Sequence, residues 1–345
     1  MNFLLALLSP VFVYVANQAS GKVTVIDAAT DSVVAVVDFT TLGFSAHPKP
    51  HHIVVEPDGS YWYVSLVGDN AVVKLDRSNH VVAKAETVTP GLLAIDPTSD
   101  LLYATRSMSA VSAPARIAVI NRRSMTVEEV EVLIPRPHGL AVAPDGKHAY
   151  VASLGANQIA VYDAKRERVG IVDVPGSDTS QVMVQLAVSP DGRTLVATAQ
   201  LTGKLLVFDL ADAAKPKLVQ KVATGDWPWL VTFTPDGAEV WVPNQRSNDV
   251  TVIDAKRWTV ATTVRGEFAQ PDGIAISADG KLVFVANHNT DNVMNMGGIS
   301  MAMPMPGMTA APGRVIVIDA RRREVVHRID TVPDGAGLGV GGGKP

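Results

Sequence analysis

Residues 228–264 read PWLVTFTPDGAEVWVPNQRSNDVTVIDAKRWTVATTV. Four short runs rich in apolar and β-branched residues, at 230–234, 239–242, 250–254 and 258–264, are separated by turn formers. Pro235-Asp236-Gly237 breaks the first run, a polar loop over 244–249 follows the second, and Asp254 ends the third. Strands this short, punctuated this regularly, predict an all-β unit. The same unit recurs along the chain, so the period takes precedence over any single element.

Two columns carry the period. A strand ending in a Val-Ile-Asp-like triplet closes at Asp27, Asp76, Asn121, Asp163, Asp209, Asp254 and Asp319, with intervals of 49, 45, 42, 46, 45 and 65 residues by subtraction. A Pro-Asp-Gly turn is centred on Asp58, Asp145, Asp191 and Asp236, and recurs with Ala for Pro at Asp279; Pro97-Thr98-Ser99 is a degraded copy. A third phrase precedes each polar loop, as in Tyr14-Val15-Ala16-Asn17, Tyr63-Val64-Ser65, Tyr150-Val151-Ala152-Ser153 and Phe284-Val285-Ala286-Asn287.

Tyr14-Val15-Ala16-Asn17, then Val25-Ile26-Asp27, then the Pro-Asp-Gly turns resemble the YVTN family of β-propeller repeats, over residues 11 to 341. Seven copies imply an all-β, seven-bladed β-propeller with four antiparallel strands per blade. The resemblance speaks to fold more than function, because propellers host many unrelated activities. Lactonases, quinoprotein subunits and copper-cluster domains are among the related-looking propellers.

The ends of the chain suggest how the ring closes. The N-terminus supplies three strands of one blade, over 12–16, 22–27 and 32–38. Two segments compete for its innermost strand: residues 2–8 (NFLLALL) and residues 334–340. Pro333-Asp334-Gly335 aligns without gaps to Pro271-Asp272-Gly273, which favours the C-terminal segment. Pairing the two ends in one blade would remove the exposed edges of a linear array. Residues 1–10 are then surplus, either a leader remnant or an extra strand, and the leader reading points to a periplasmic, secreted or cell-surface protein. Residues 342–345 form a tail.

Composition narrows the function classes. With 47% hydrophobic and 19% charged residues the chain is globular. A net charge of −4, with no basic run, argues against a nucleic-acid partner. The absence of cysteine excludes disulfides, zinc-thiolate sites and Cys nucleophiles. The apolar stretch at 2–8 is too short to span a bilayer. No G-x-S-x-G, H-E-x-x-H or Walker pattern occurs.

In such a propeller the Pro-Asp-Gly turns lie on one face. The leading residues of the innermost strands and the polar loops lie on the other, here called the top face. His47, His51, His52, His138 and His288 map to the top face or the channel mouth; His80, His148 and His327 map elsewhere. The residue after the leading proline is expected to ring the mouth, giving His51, Gly91, His138, Val184, Trp229, Asp272 and Asp334. The long interval in the seventh copy comes from an insertion over 294–313 that contains MNMGGISMAMPMPGM. It carries Met294, Met296, Met301, Met303, Met305 and Met308; Met108 and Met183 map to other top-face loops. Alternation of Met301, Met303 and Met305 would put three thioethers on one side of an extended segment. Thioethers suit Cu(I) and imidazole suits both copper states. The insertion resembles Met-rich segments of periplasmic copper-handling proteins.

Three readings follow. The first is an exported binding or scaffold propeller that presents its His- and Met-rich top face to a small ligand or protein partner, with copper as the candidate metal. The Met residues of the insertion and His288 would hold it, or a compact set of His51, His52 and His138. The second is an enzyme, either a lactonase-like hydrolase using Asp272, Asp334 and His138 or a copper- or quinone-linked oxidoreductase subunit. The third is a cell-surface interaction protein with no ligand. Each residue also has a plain structural role: Asp272 and Asp334 as caps of backbone amides, Trp229 as packing between blades, and Arg106, Arg136 and Arg246 as surface arginines.

Overall fold

In the computed structural model, the described residues are 11–108, 115–175, 180–288, 293–296, 299–302 and 313–341. They contain seven four-stranded antiparallel sheets and one two-stranded hairpin. Each sheet is one blade, and the blades follow one another around a central channel. Their innermost strands are Gly335–Gly341, Pro50–Val55, Leu93–Ile95, Pro137–Val142, Met183–Val188, Thr232–Phe233 and Pro271–Ile276. This is the seven-bladed propeller that the repeat predicts.

The turns show why the motif residues recur. In the Pro-Asp-Gly turns the carboxylate accepts a hydrogen bond from the amide two residues on: Asp58 from Ser60 at 2.9 Å, Asp145 from Lys147 at 3.0 Å and Asp236 from Ala238 at 2.9 Å. The glycine that follows sits at positive φ, at 67° for Gly59 and 70° for Gly237, where a Cβ would be strained. The degraded third copy moves this task to Asp96, which accepts from the Thr98 amide at 2.8 Å. The Asp that ends the third strand does the same for the next turn in four blades: Asp27 for Ala29, Asp163 for Lys165, Asp209 for Ala211 and Asp254 for Lys256.

Each strand buries one face against the blade before it and the other against the blade after it, so the core is a set of inter-blade clusters. Tyr14, Val23 and Val25 of the first blade pack on Ile53, Trp62, Val64 and Leu75 of the second. Tyr14 and Trp62 stack with ring centroids 4.8 Å apart. The outermost strands face water on one side, which is why Val34 and Val82 are half exposed while Val13, Val15 and Val64 are fully buried. In the sixth blade the innermost strand is shorter than expected. Only Thr232–Phe233 pair regularly, because Pro228 and Trp229 meet the neighbouring strand through the isolated bridge Pro228–Asn244.

The ring closes through Gly335–Gly341, which pairs antiparallel with Phe12–Asn17 in the sheet that also holds Lys22–Asp27 and Ser32–Asp38. Residues 2–8 lie outside the described residues. The register differs from the gap-free alignment. Asn17 faces Gly335 and Val15 faces Leu338, whereas in the seventh blade Asn287 faces Pro271 and Val285 faces Ile274. Gly335 is therefore the counterpart of Pro271, and the true alignment is displaced by two residues. A displacement of two keeps every side chain on its own face of the strand, so the hydrophobic pattern cannot distinguish the two alignments. The channel-ring position of the first blade belongs to Ala336, and Asp334 is the counterpart of Gln270. Backbone conformation agrees: Asp334, Gln270, Lys49 and Arg136 all have φ between 50° and 68°. Their carbonyls accept from Gln18, His288, Val67 and Leu154 respectively.

A chain ending at residue 331 is expected to leave the inner edge of Phe12–Asn17 unpaired. Its melting temperature should fall by about 10 °C or more, and it should self-associate in size-exclusion chromatography. An unchanged melt and a monomer peak would show that closure is dispensable.

Candidate functional site at the channel mouth

With the register corrected, the mouth is ringed in order by Ala336, His51, Gly91, His138, Val184, Trp229 and Asp272. The residues that follow the second strands form a tier above it, including Ser107, Gln245 and His288. Asp272, Asp334, His51, His52, His138 and His288 are all buried. One wall of the mouth is thus polar and buried, while Val184 and Trp229 belong to an apolar cluster with Leu92 and Val182.

His288 lies between two carboxylates. Its Nδ1 is 2.7 Å from Asp334 Oδ1 and its Nε2 is 2.6 Å from Asp272 Oδ2. Two carboxylate acceptors require both ring nitrogens to donate, so the ring is an imidazolium. Burial by itself would lower the His288 pKa, but the Asp272 and Asp334 charges and their hydrogen bonds outweigh it and raise the value to about 10. The carboxylates have further partners. Asp334 Oδ2 accepts from the Ala19 amide at 2.8 Å, and Asp272 Oδ2 accepts from Gln245 Nε2 at 3.1 Å. The amide-capping role expected of these acids is present at Asp334, within a larger ion cluster that joins the sixth, seventh and first blades. Because both ring nitrogens of His288 are occupied by carboxylates, neither offers a lone pair to a metal here.

The other three buried histidines of the mouth are neutral. His138 Nδ1 is 2.7 Å from the Val184 carbonyl, which can only accept, so Nδ1 carries the proton and Nε2 keeps its lone pair. Burial lowers its pKa to about 4, against a raising contribution from Val184 and with a small further lowering from Arg136. His52 turns the opposite way. Its Nδ1 accepts from the Leu93 amide at 3.2 Å, so its own proton is on Nε2 and it offers no second lone pair. Burial, then His138, lowers its pKa to about 4. His51 is buried with neither ring nitrogen hydrogen-bonded. Burial, then the neighbouring His138, His52 and His288, hold its pKa well below the usual range.

The rings of His51 and His138 approach each other with centroids 6.3 Å apart and planes at 70°. They come from different blades and meet because the ring position between them is Gly91. Among the described residues, no three His, Asp or Glu side chains gather in a metal-binding arrangement. His52 is the member of the expected histidine set that is drawn away, by the Leu93 amide.

The remaining candidates divide clearly. Trp229 is packed in the apolar cluster, and its carbonyl accepts from Thr198 at 2.6 Å. Arg106 is buried and paired with Glu129 at 2.6 Å, so it is not a surface arginine. Arg246 lies over the Trp227 ring at 5.4 Å. In the insertion, Val293–Met296 and Ile299–Ala302 pair as a hairpin with Met294 opposite Met301 and Met296 opposite Ile299, a strand pair where the sequence suggested only a loop. Met303, Met305 and Met308 lie outside the described residues. A groove of about 440 Å³ opens on the opposite face, lined by Asp236, Glu239, Asp279 and Arg323. Asp236 and Asp279 there cap turns, and Arg323 pairs with Glu239. Gln245 was not singled out by sequence; its place directly after Asn244, as His288 follows Asn287, is the signal that locates it.

Comparison with known proteins agrees with the fold. Residues 173–261 match the family model described as "Lactonase, 7-bladed beta-propeller". Antigen Lp49 of Leptospira interrogans is 25% identical over 260 residues, covering 67% of this chain and 53% of that protein. The uncharacterized protein YncE of Salmonella typhimurium is 22% identical over 198 residues, covering 57% and 54%. The chain thus spans about half the length of these curated relatives. Among solved structures, Kuenenia stuttgartiensis hydrazine synthase superposes with a TM-score of 0.68 at 21% identity, covering 85% of this chain and 90% of that one. A putative 6-phosphogluconolactonase from Bacteroides fragilis gives 0.69 at 15% identity, covering 96% and 98%. The chain is a seven-bladed β-propeller that is similar to YVTN and lactonase propellers. Among the described residues no helix is long and apolar enough to cross a membrane.

Replacing His288 with Asn would leave Asp272 and Asp334 as buried acids without their shared cation. Stability is expected to fall by about 3–5 kcal/mol in urea unfolding. His288 holds its proton more tightly folded than unfolded. Its stabilisation is therefore complete below pH 6.5 and fades as pH rises toward about 10. The wild-type stability profile should slope downward across that window, and the His288→Asn profile should lack that component. Parallel profiles would mean that the ring is not an imidazolium.

Proposed function

We propose that this protein is an exported, non-catalytic binding propeller that takes a small ligand or protein partner at its top face. Copper is the ligand class best suited to its histidines and methionines. The observation that carries the binding role is the commitment of Asp272 and Asp334. A lactone hydrolase needs a group free to move a proton at the mouth. Both acids instead accept from one imidazolium, and their other hydrogen bonds go to Ala19 and Gln245. What the mouth leaves free is lone pairs on neutral imidazoles, which favour soft and borderline cations. The six methionines of the insertion, placed in sequence just after His288, extend the same preference. The exported location rests on reading the apolar stretch at 2–8 as a leader core.

A test titrates the purified protein with Cu(I) and Cu(II), beside a variant lacking residues 294–308. The full chain is expected to bind more Cu(I) than the variant. Equal binding by both would remove the insertion from this reading.

A hydrolase is the second reading, supported by the lactonase family match over 173–261 and by the free Nε2 of His138. Incubation with aliphatic lactones and with 6-phosphogluconolactone, followed by proton release, separates the two. The binding reading expects rates equal to buffer. Turnover that disappears in His138→Gln would replace it with an enzyme.

A further inference from the structure

Two buried polar side chains of the mouth have no hydrogen-bond partner, and a thioether lies close to one of them. His51 is buried and neither of its ring nitrogens has a hydrogen bond. Buried imidazoles almost always have one, so an orphan here requires a physical account. Ser107 Oγ, also buried, has none either. The thioether is that of Met108. A Cβ built on Gly91 would lie 3.4 Å from Met108 Cγ and 3.6 Å from Ser107 Oγ. Gly91 holds the ring position between His51 and His138, so Met108 and Ser107 lie beside the position that separates the two imidazoles.

We propose that His51, Met108 and His138 form a soft-cation site at the channel mouth that takes one Cu(I) ion. This deepens the copper-binding reading above and rests on it, but it uses none of the insertion. His138 is already arranged as metal-binding histidines usually are: Nδ1–H donates to a backbone carbonyl, which orients the ring and leaves Nε2 as the ligand atom. His51 has both nitrogens available. The separation fits. A ring radius of about 1.1 Å plus a metal–nitrogen bond of about 2.0 Å puts each centroid about 3 Å from a shared ion. The observed 6.3 Å between centroids matches the sum of two such distances, so the spacing of the rings leaves room for an ion between them.

The donor set favours Cu(I) over the commoner cations. Two neutral imidazoles and a thioether bring no charge, which suits a monovalent ion. A thioether is a poor ligand for hard cations such as Mg²⁺ and Ca²⁺. His52, with its lone pair given to the Leu93 amide, and His288, between its carboxylates, stay outside the site and fix its surroundings. Gly91 supplies the space: any larger residue there would meet Met108, Ser107 and the Thr105 hydroxyl.

The test is an anaerobic Cu(I) titration against a chromogenic competing chelator. It uses the full chain, the 294–308 deletion, and Met108→Leu and His51→Gln in the deletion background, with melting curves confirming that each folds. The deletion protein should keep one Cu(I), and each substitution should weaken it by about tenfold or more. X-ray absorption of the loaded deletion protein should show one sulfur and two nitrogen neighbours, a readout that does not depend on any variant folding. Copper bound by the full chain but not by the deletion protein would overturn the mouth site while leaving the copper-binding reading in place. Absence of binding by both would overturn both. A loaded deletion protein with no sulfur neighbour, or with affinity unchanged by the substitutions, would overturn the site as assigned.

Discussion

The antiparallel pairing of Gly335–Gly341 with Phe12–Asn17 is the constraint on which the rest of the molecule depends. A blade cannot bury both faces by itself; it needs a neighbour on each side. In a linear array the first and last blades would each leave an apolar face and a strand edge to water. Building one blade from both ends of the chain removes the termini of the array. The closing strand is rich in glycine, and a Cβ on Gly337 would collide with the His51 carbonyl. The tight fit brings the closing strand against the leading residues of the second blade, which is where the histidine cluster begins.

Closure also builds the site. Asp334 precedes the closing strand, Asp272 is the second residue of the innermost strand of the seventh blade, and His288 follows the second strand of that blade. The imidazolium between the two acids joins the start of one blade to the end of the ring. Asp334 reaches the first blade again through the Ala19 amide, and the Asn17 side chain donates to the Val332 carbonyl at 2.8 Å. The electrostatic cluster and the strand closure therefore reinforce each other. Burial first, then the neighbouring His138 and His52 and last the charged His288, disfavour a proton on His51, which leaves its ring nitrogens available as donors of electron pairs.

Much of this was legible as repeat chemistry. Asp58, Asp145 and Asp236 each cap the same turn, and Gly59 and Gly237 each take the same positive φ, so local stereochemistry alone announces the blades. His51 and His138 were readable as mouth residues because they follow a proline at equivalent points of their repeats. Asp334 was misplaced by two residues, since a strand shifted by two presents the same faces. The pairing of His288 with both acids was not readable at all. It joins positions 16 and 46 residues apart through the angle between blades, and no local pattern encodes that angle.

The sequence by itself determined the architecture and the blade count, and it favoured the C-terminal segment as the one that closes the ring. Each of these is a consequence of short-range rules repeated seven times. Only the tertiary structure decided which histidines are charged and which are neutral. That depends on whether a ring nitrogen meets a carboxylate, as in His288, a carbonyl, as in His138, an amide, as in His52, or nothing, as in His51. Protonation follows from the partner and the burial, and both are properties of the closed ring rather than of any one repeat.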